Sequence, residues 1–278
     1  MVGAGRAGTA VAVRWRAAGH EIVAASGGDA TPDRAALHLP GVPVVPARAA
    51  AREAEVTVLG VPDDRIAQVA DSLSGAIPDR AWIAHLAGAA GLDALAGAGA
   101  RRLAIHPLQT LPDVERAVAR LEGCTVAVGA DDEEGFALGE RLARDLGGVP
   151  FRLTEAARPL YHAAAVLGSN DVVVLSALAL AAFERAGVPD PAAALAPLQT
   201  ATVENVATVG PGAALTGPAV RGDAGTIEAN LTALAASVPD AVGPYVAVAR
   251  AALDLAVASG RLGPEGRAAV EEVLARWT

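Results

Sequence analysis

Three glycines at the start of the chain have the spacing that lets a backbone grip an anion. Gly3, Gly5 and Gly8 form G-x-G-x-x-G, ahead of a helical stretch that stops at Gly19. Residues 21–26 then read as a short apolar strand. In that setting Gly3 permits a tight turn, Gly5 lets a pyrophosphate reach the main chain, and Gly8 lets the helix pack on a sheet. The first N–H groups of the helix, over Arg6, Ala7 and Gly8, complete an anion site through the helix dipole. The second strand ends on Ala25-Ser26-Gly27-Gly28, with Asp29 late and Arg34 beyond. A carboxylate at the strand's end would bond the adenosine ribose of NAD. Ser26 and its small neighbours instead leave room for a 2′-phosphate within reach of Arg34, which favours NADP(H) over NAD(H).

Histidine, asparagine and arginine supply the other candidate chemistry. His162 and Asn170 are eight residues apart, about two helical turns, so they share a helix face. An unperturbed imidazole titrates near ~6.5, which suits a general acid, and Asn170 can hydrogen-bond a substrate oxygen. His106 stands at the carboxyl end of a strand before Pro107, and His85 ends the preceding strand. Such ends face ligands in open α/β sheets. Arg221 and Asp223 lie in a loop crowded with Gly and Pro; the guanidinium suits a carboxylate, and Asp223 can orient it or cap the next helix. Val61, Pro62 and Asp63 end another strand on the same edge. His20 and His38 read as solvated. All 22 basic residues are Arg, which rules out Schiff-base chemistry and a lysine proton donor. The single Cys124 excludes a disulfide framework, and no His or acidic cluster has metal-ligand spacing.

The elements that carry these groups follow from composition and periodicity. With 53% hydrophobic residues but only 3% aromatics, a large core must be built from Ala, Val and Leu. A formal charge of −9 argues against a nucleic-acid partner. Strands near 55–61, 81–86, 103–107 and 124–129 alternate with helices, so residues 1–153 read as an α/β domain with a doubly wound parallel sheet. From 154 to 278 the pattern is all-helical, led by one long helix over 155–186. Residues 172–183 of it are apolar on every face, which demands burial on all sides and points to a homodimer formed through the helical domain. That stretch is shorter than the ~20 residues of a membrane span, so the expectation is a soluble, cytoplasmic protein. Only Met1 and Val2 precede Gly3, so the expected central strand is short; a start further upstream would lengthen it and raise stability.

Gly60-Val-Pro-Asp63, His106-Pro-Leu-Gln-Thr110, Tyr161-His-Ala-Ala-Ala-Val-Leu-Gly-Ser-Asn170 and Leu215-Thr-Gly-Pro-Ala-Val-Arg-Gly-Asp223 resemble the motifs of Rossmann-like proteins with a C-terminal domain of unknown function. These fall within the 6-phosphogluconate dehydrogenase, pyrroline-5-carboxylate reductase and ketopantoate reductase superfamily. The resemblance covers almost the whole chain and implies reduction of a small carboxylate-bearing 2-oxo compound such as ketopantoate. In that reading NADPH lies along Gly3, Gly5, Arg6, Ala7, Gly8, Ser26, Val61, Pro62, Asp63 and His85. His162, with Asn170 and His106, supplies the proton, and Arg221, oriented by Asp223, holds the carboxylate. The superfamily's hydroxyacid dehydrogenases carry a Lys one turn before their Asn; with Asn170 in that place, Val166 replaces the lysine. Asn230 stands where many relatives have His and is left out of the machinery. Cyclic-imine reduction, or cofactor binding without catalysis, are the alternatives.

Overall fold

A computed structural model describes residues 1–277. It divides into two compact units, Met1–Leu167 and the chain from Gly168 onward. In the first unit Val56–Leu59 (β1), Trp82–His85 (β2), Arg101–Pro107 (β3), Thr125–Ala130 (β4) and Val149–Arg152 (β5) form a sheet in that order. Neighbours β1, β2 and β3 are parallel, as are β4 and β5, but β3 and β4 are antiparallel. The sheet is therefore mixed, which corrects the all-parallel expectation. The cause lies in the link between β3 and β4. Its only helix, Val114–Leu121, spans about 12 Å and returns the chain to the edge where β3 ended. Val126 thus pairs with Pro107, Leu108 N–H bonds Thr125 O at 2.8 Å, and β4 has to run back.

The glycine turn joins this sheet through Val2, which bridges Ser26 on one side and Leu59 on the other; Ala25 in turn bridges Val44. The order of neighbours is that of a dinucleotide-binding half. Residues 21–26, expected as a strand, form single bridges at Ala25 and Ser26 rather than a ladder.

Alternation along the strands divides the core into two layers. Val58, Ala84, Leu103 and Ile105 face Ala10, Val11 and Trp15 of α1 (Arg6–Ala17), together with Val114, Ala117, Leu121 and Leu142. Leu59 and Ile83 face Ala50, Ile66, Ala70, Leu73 and Leu95 on the other side. Each fully buried leucine or isoleucine contributes roughly 1.5–3 kcal/mol, and Trp15 Nε1 is satisfied by Leu142 O at 2.8 Å. With both faces covered, the sheet edge at the carboxyl ends of β1, β2 and β3 is the one that carries Gly60, His85 and His106.

Arg158–Gly168 (α2 below) begins a helical tract that continues as Asn170–Arg185 (α3). The long helix expected over 155–186 is thus interrupted at Ser169 (φ −133°, ψ −69°) and opens with a short 3-10 turn, Glu155–Ala157. In the second unit, Pro191–Val209 (α4), Ala224–Ser237 (α5), Val242–Ala258 (α6) and Pro264–Ala275 (α7) follow. Ile227, Leu231, Val246, Leu253, Val270 and Leu274 make its core from α5, α6 and α7. That core is complete without α3. No residue of α3 is fully buried, and Val173 and Val174 are 67% and 57% exposed, so within one chain the helix is not buried on all sides as expected. The apolar window is also wider than the 12 residues expected. Glu155–Arg185 and Pro239–Ala258 are each long and apolar enough to cross a membrane, because Ala-rich flanks extend the run.

Candidate active site

Gly3 has φ +81°, and a Cβ there would meet Val61 Cγ1 at 2.5 Å and Gly60 C at 2.8 Å. Both conformation and space demand glycine. Gly5 differs: its φ of −71° suits any residue, and the nearest atom to a Cβ would be 3.9 Å away. Its bare face is the cradle that a pyrophosphate would fill. Gly5 is the N-cap of α1, no side chain caps that helix, and its first turn holds no acidic residue. The first N–H groups of α1 have no carbonyl within the helix to bond. Gly3 and Ala4 N–H both bond Ser26 O at 2.8 Å, which fixes the end of the second strand against the turn. Arg34 Nη1 donates to Ala4 O at 2.9 Å, so its guanidinium is moored to the glycine turn. Asp29 is exposed at the start of that segment. Arg6 donates outward to Pro112 O at 3.0 Å. Val61 is half-buried, whereas Pro62 and Asp63 are exposed.

Beyond the ends of β2 and β3 lies a group of ionisable side chains. His85 is fully buried, and Ala87 N–H donates to its Nδ1 at 3.2 Å. Burial, reinforced by the Arg158 charge, lowers its pKa to about 4. His106 Nδ1 lies 2.7 Å from Tyr161 Oη, the rings meeting edge-on at 86°. Burial lowers the pKa of His106 to about 4 as well, with His162, Arg158 and His85 adding to the effect. A Cβ at Gly88 would stand 2.9 Å from Cε1 and Nε2 of His106, so this glycine leaves room for the ring. Burial pushes the Tyr161 phenol up to about 12, against the pull of Arg158. Arg158 is only 2% exposed and bonds Glu155 Oε1 at 2.7 Å, while Glu155 Oε2 accepts Leu92 N–H at 3.1 Å. Burial would raise the Glu155 carboxyl, but these two contacts outweigh it and hold it below its usual range. A Cβ at Gly129 would stand 2.7 Å from Arg158 Nη2. His162 Nδ1 is buried without a hydrogen-bond partner.

The structure thus brings His85, His106 and His162 together, and adds Tyr161, Arg158 and Glu155, which sequence reasoning passed over. A signal for Tyr161 was present, since a phenol in an Ala-rich helix needs a hydrogen-bond partner. Asn170, Arg221 and Asp223 belong to the second unit. Asn170 is exposed at the first turn of α3. Asp223 caps α5, accepting Thr226 N–H at 3.0 Å and Thr226 Oγ1–H at 2.7 Å, which keeps its carboxyl below the usual range. Arg221 lies 3.6 Å from Asp223, with its side chain 63% exposed. Asn230 donates to Tyr245 Oη at 3.0 Å. His20 and His38, expected as solvated, are paired: His20 lies 2.8 Å from Asp145 and His38 3.7 Å from Glu115. Cys124 is buried, and burial raises its thiol pKa. Among the described residues no group of three His, Cys, Asp or Glu could hold a metal ion.

The histidines make stability depend on pH in a defined direction. Folded His85 and His106 resist protonation down to about pH 4, whereas in the unfolded chain they take up protons below ~6.5. Their burial adds no pH-dependent cost above pH 6.5 and destabilises the fold as the pH falls from there towards 4. By pH 5 the loss is about 2 kcal/mol for each. Urea midpoints at pH 7.5 and pH 5 measure it: the wild type loses more than His85→Asn, and equal losses contradict the assignment.

A Rossmann-like domain model matches residues 1–107, and the model of a domain of unknown function, DUF2520, matches residues 124–252. No curated protein matches the chain by sequence. Among solved structures, a Bacteroides fragilis protein provisionally described as an NADP oxidoreductase shares the fold, with TM-score 0.77 and 23% identity over 91% of this chain and 96% of that one. A Thermotoga maritima protein gives TM-score 0.69 and 21% identity over 92% and 97%. A 1-pyrroline-5-carboxylate reductase from Streptococcus pyogenes gives 0.60 and 20% over 89% and 96%. At these identities the likeness is one of fold.

Proposed function

This chain is a Rossmann-like protein with a DUF2520 domain, and from that premise we propose that it is an NADPH-dependent reductase of a small carboxylate-bearing 2-oxo compound, ketopantoate-like in chemistry. The observation that carries this reading is the bare cradle at Gly5, with an uncapped helix start behind it and Arg34 moored beside it. The residues present fit a dinucleotide. Gly5 and the N–H groups of Arg6, Ala7 and Gly8 would hold the pyrophosphate, and Ser26 with Arg34 the 2′-phosphate. Val61, Pro62 and Asp63 would flank the nucleotide. When bound, the reduced nicotinamide supplies a hydride to the carbonyl carbon.

The chain's own groups do the rest. The His85–His106–Tyr161–His162 cluster lies beyond the ends of β2 and β3, where such a ring would arrive. Arg221, in the second unit, keeps an exposed guanidinium of the kind that binds carboxylates. The names of the neighbours, an NADP oxidoreductase and a pyrroline-5-carboxylate reductase, agree with pyridine-nucleotide chemistry. They also motivate a second reading, reduction of a cyclic imine. Assay of NADPH oxidation against parallel panels of 2-oxo acids and cyclic imines separates the two.

Cofactor choice is tested at Arg34. Loss of one charge-assisted contact is worth roughly 1.5–3 kcal/mol, so Arg34→Ala should weaken NADPH binding by at least about tenfold and leave NADH nearly unchanged. Equal losses for both cofactors would mean that Arg34 supports the turn and does not read the 2′-phosphate. The same reading includes a soluble, cytoplasmic homodimer. The uncovered apolar faces of α3 and α4, with Val173, Leu198, Val203 and Val209 more than half exposed, are what a second copy would bury. Light scattering that gives the mass of one chain at micromolar concentration would remove that element.

A further inference from the structure

Resting on the reductase reading, the geometry points to a two-step proton relay: His106 Nε2–H gives its proton to the substrate oxygen, and Tyr161 Oη–H replaces it through Nδ1. The argument starts from the 2.7 Å contact between His106 Nδ1 and Tyr161 Oη. Among the described residues the phenol hydrogen has no acceptor other than Nδ1, and with the phenol as donor the neutral ring carries its own hydrogen on Nε2. That nitrogen has no partner among the described residues and, unlike His85 Nε2 and His162 Nδ1, is not sealed from the surface. It is the ring atom free to meet a ligand at the carboxyl edge of the sheet. Gly88 leaves the ring its room on one side, since a Cβ there would stand 2.9 Å from Cε1 and Nε2.

The surroundings favour a neutral donor over an imidazolium. Arg158, His162 and His85 all oppose a positive charge on His106, as does its burial, and the Glu155 charge is already engaged by Arg158. As the hydride pair arrives at the carbonyl carbon, the C=O π pair moves onto oxygen. The Nε2–H bond breaks and an O–H bond forms, while Nδ1 takes the proton from Tyr161 Oη. The products are an alcohol, the oxidised cofactor, a neutral His106 of the other tautomer and a Tyr161 phenolate. Arg158, which already pulls the phenol pKa down against burial, stabilises that phenolate until solvent returns a proton.

The test reads the ring directly and does not depend on turnover. In protein labelled with 15N at its histidine ring nitrogens, the His106 signals should show the Nε2–H form and stay fixed from pH 5 to 8. In Tyr161→Phe the His106 signals should shift towards a mixture of tautomers. Turnover of the wild type should be flat over the same pH range. Tyr161→Phe should lower kcat at least a hundredfold, with NADPH affinity within about twofold of wild type. His106 titrating near pH 6.5, an Nδ1–H form, or a kcat for Tyr161→Phe within threefold of wild type would overturn the relay. Failure of the folded protein to bind any pyridine nucleotide is a separate outcome that defeats the reductase reading, whereas a wrong tautomer defeats the relay even in an active reductase.

Discussion

His106→Ala is expected to lower kcat by about 10²–10⁴-fold, the range usual for a positioned proton donor, while NADPH affinity stays within about twofold of wild type. The separation follows from where the residue sits. His106 stands at the end of β3, and its ring contacts Gly88 and Tyr161, whereas the anion cradle is built from the turn after Val2 and the start of α1. Removing the imidazole leaves that cradle untouched. Gly88→Ala is the complementary variant, because it keeps the imidazole but forces the ring to move by introducing a Cβ 2.9 Å from it. It should lose most of the same rate with a melting temperature close to wild type. Steady-state kinetics with a titration of NADPH fluorescence check both; a His106→Ala enzyme retaining a third or more of wild-type kcat would remove His106 from the reaction.

The second large effect is expected from two glycines two residues apart that do different work. Gly5→Val should abolish measurable NADPH binding, a loss of at least about a hundredfold (~2.7 kcal/mol), without unfolding the protein. Its φ is ordinary and the nearest atom to the first added carbon is 3.9 Å away, so the branch point enters without overlap and its methyls extend from the bare face of the turn. Gly3→Ala should behave in the opposite way. There the positive φ and the overlap with Val61 and Gly60 strike the fold itself, and loss of stability by about 1–3 kcal/mol is expected. Differential scanning calorimetry with and without NADPH distinguishes them: Gly5→Val keeps its melting temperature and gains nothing from cofactor. A Gly5→Val protein still stabilised by NADPH would show that the turn does not hold the pyrophosphate.

Much of the architecture was legible because local signals and burial agreed. Asp190 and Asp223 cap their helices through Ala193 and Thr226 N–H, and the helices Pro191–Val209 and Ala224–Ser237 begin and end where Pro, Asp and the loop residues indicate. The glycine turn was legible for the same reason, since each glycine has a separate spatial requirement. Strand direction was not. Residues 124–129 look alike in either orientation, and only the length of the preceding helix decides that β4 runs back along β3.

The site was legible only in part. A histidine at a strand's end stands out, but partners such as Tyr161, Arg158 and Glu155 come from a later helical segment whose contact with β3 no local pattern encodes. Arg158 in particular reads as a surface charge until the fold buries it. The exposed apolar face of α3 shows the reverse: its sequence asks for burial that a single chain does not provide.

The most direct measurement uses NADPH carrying deuterium on C4, incubated with this protein and a panel of 2-oxo acids and cyclic imines, with the products examined by mass spectrometry and proton NMR. The account predicts one deuterium on the former carbonyl carbon of a carboxylate-bearing alcohol, formed in step with cofactor oxidation. Transfer to an imine carbon alone would correct the substrate class. Intact NADPH across both panels, with folded protein throughout, would contradict the claim that this chain is a reductase.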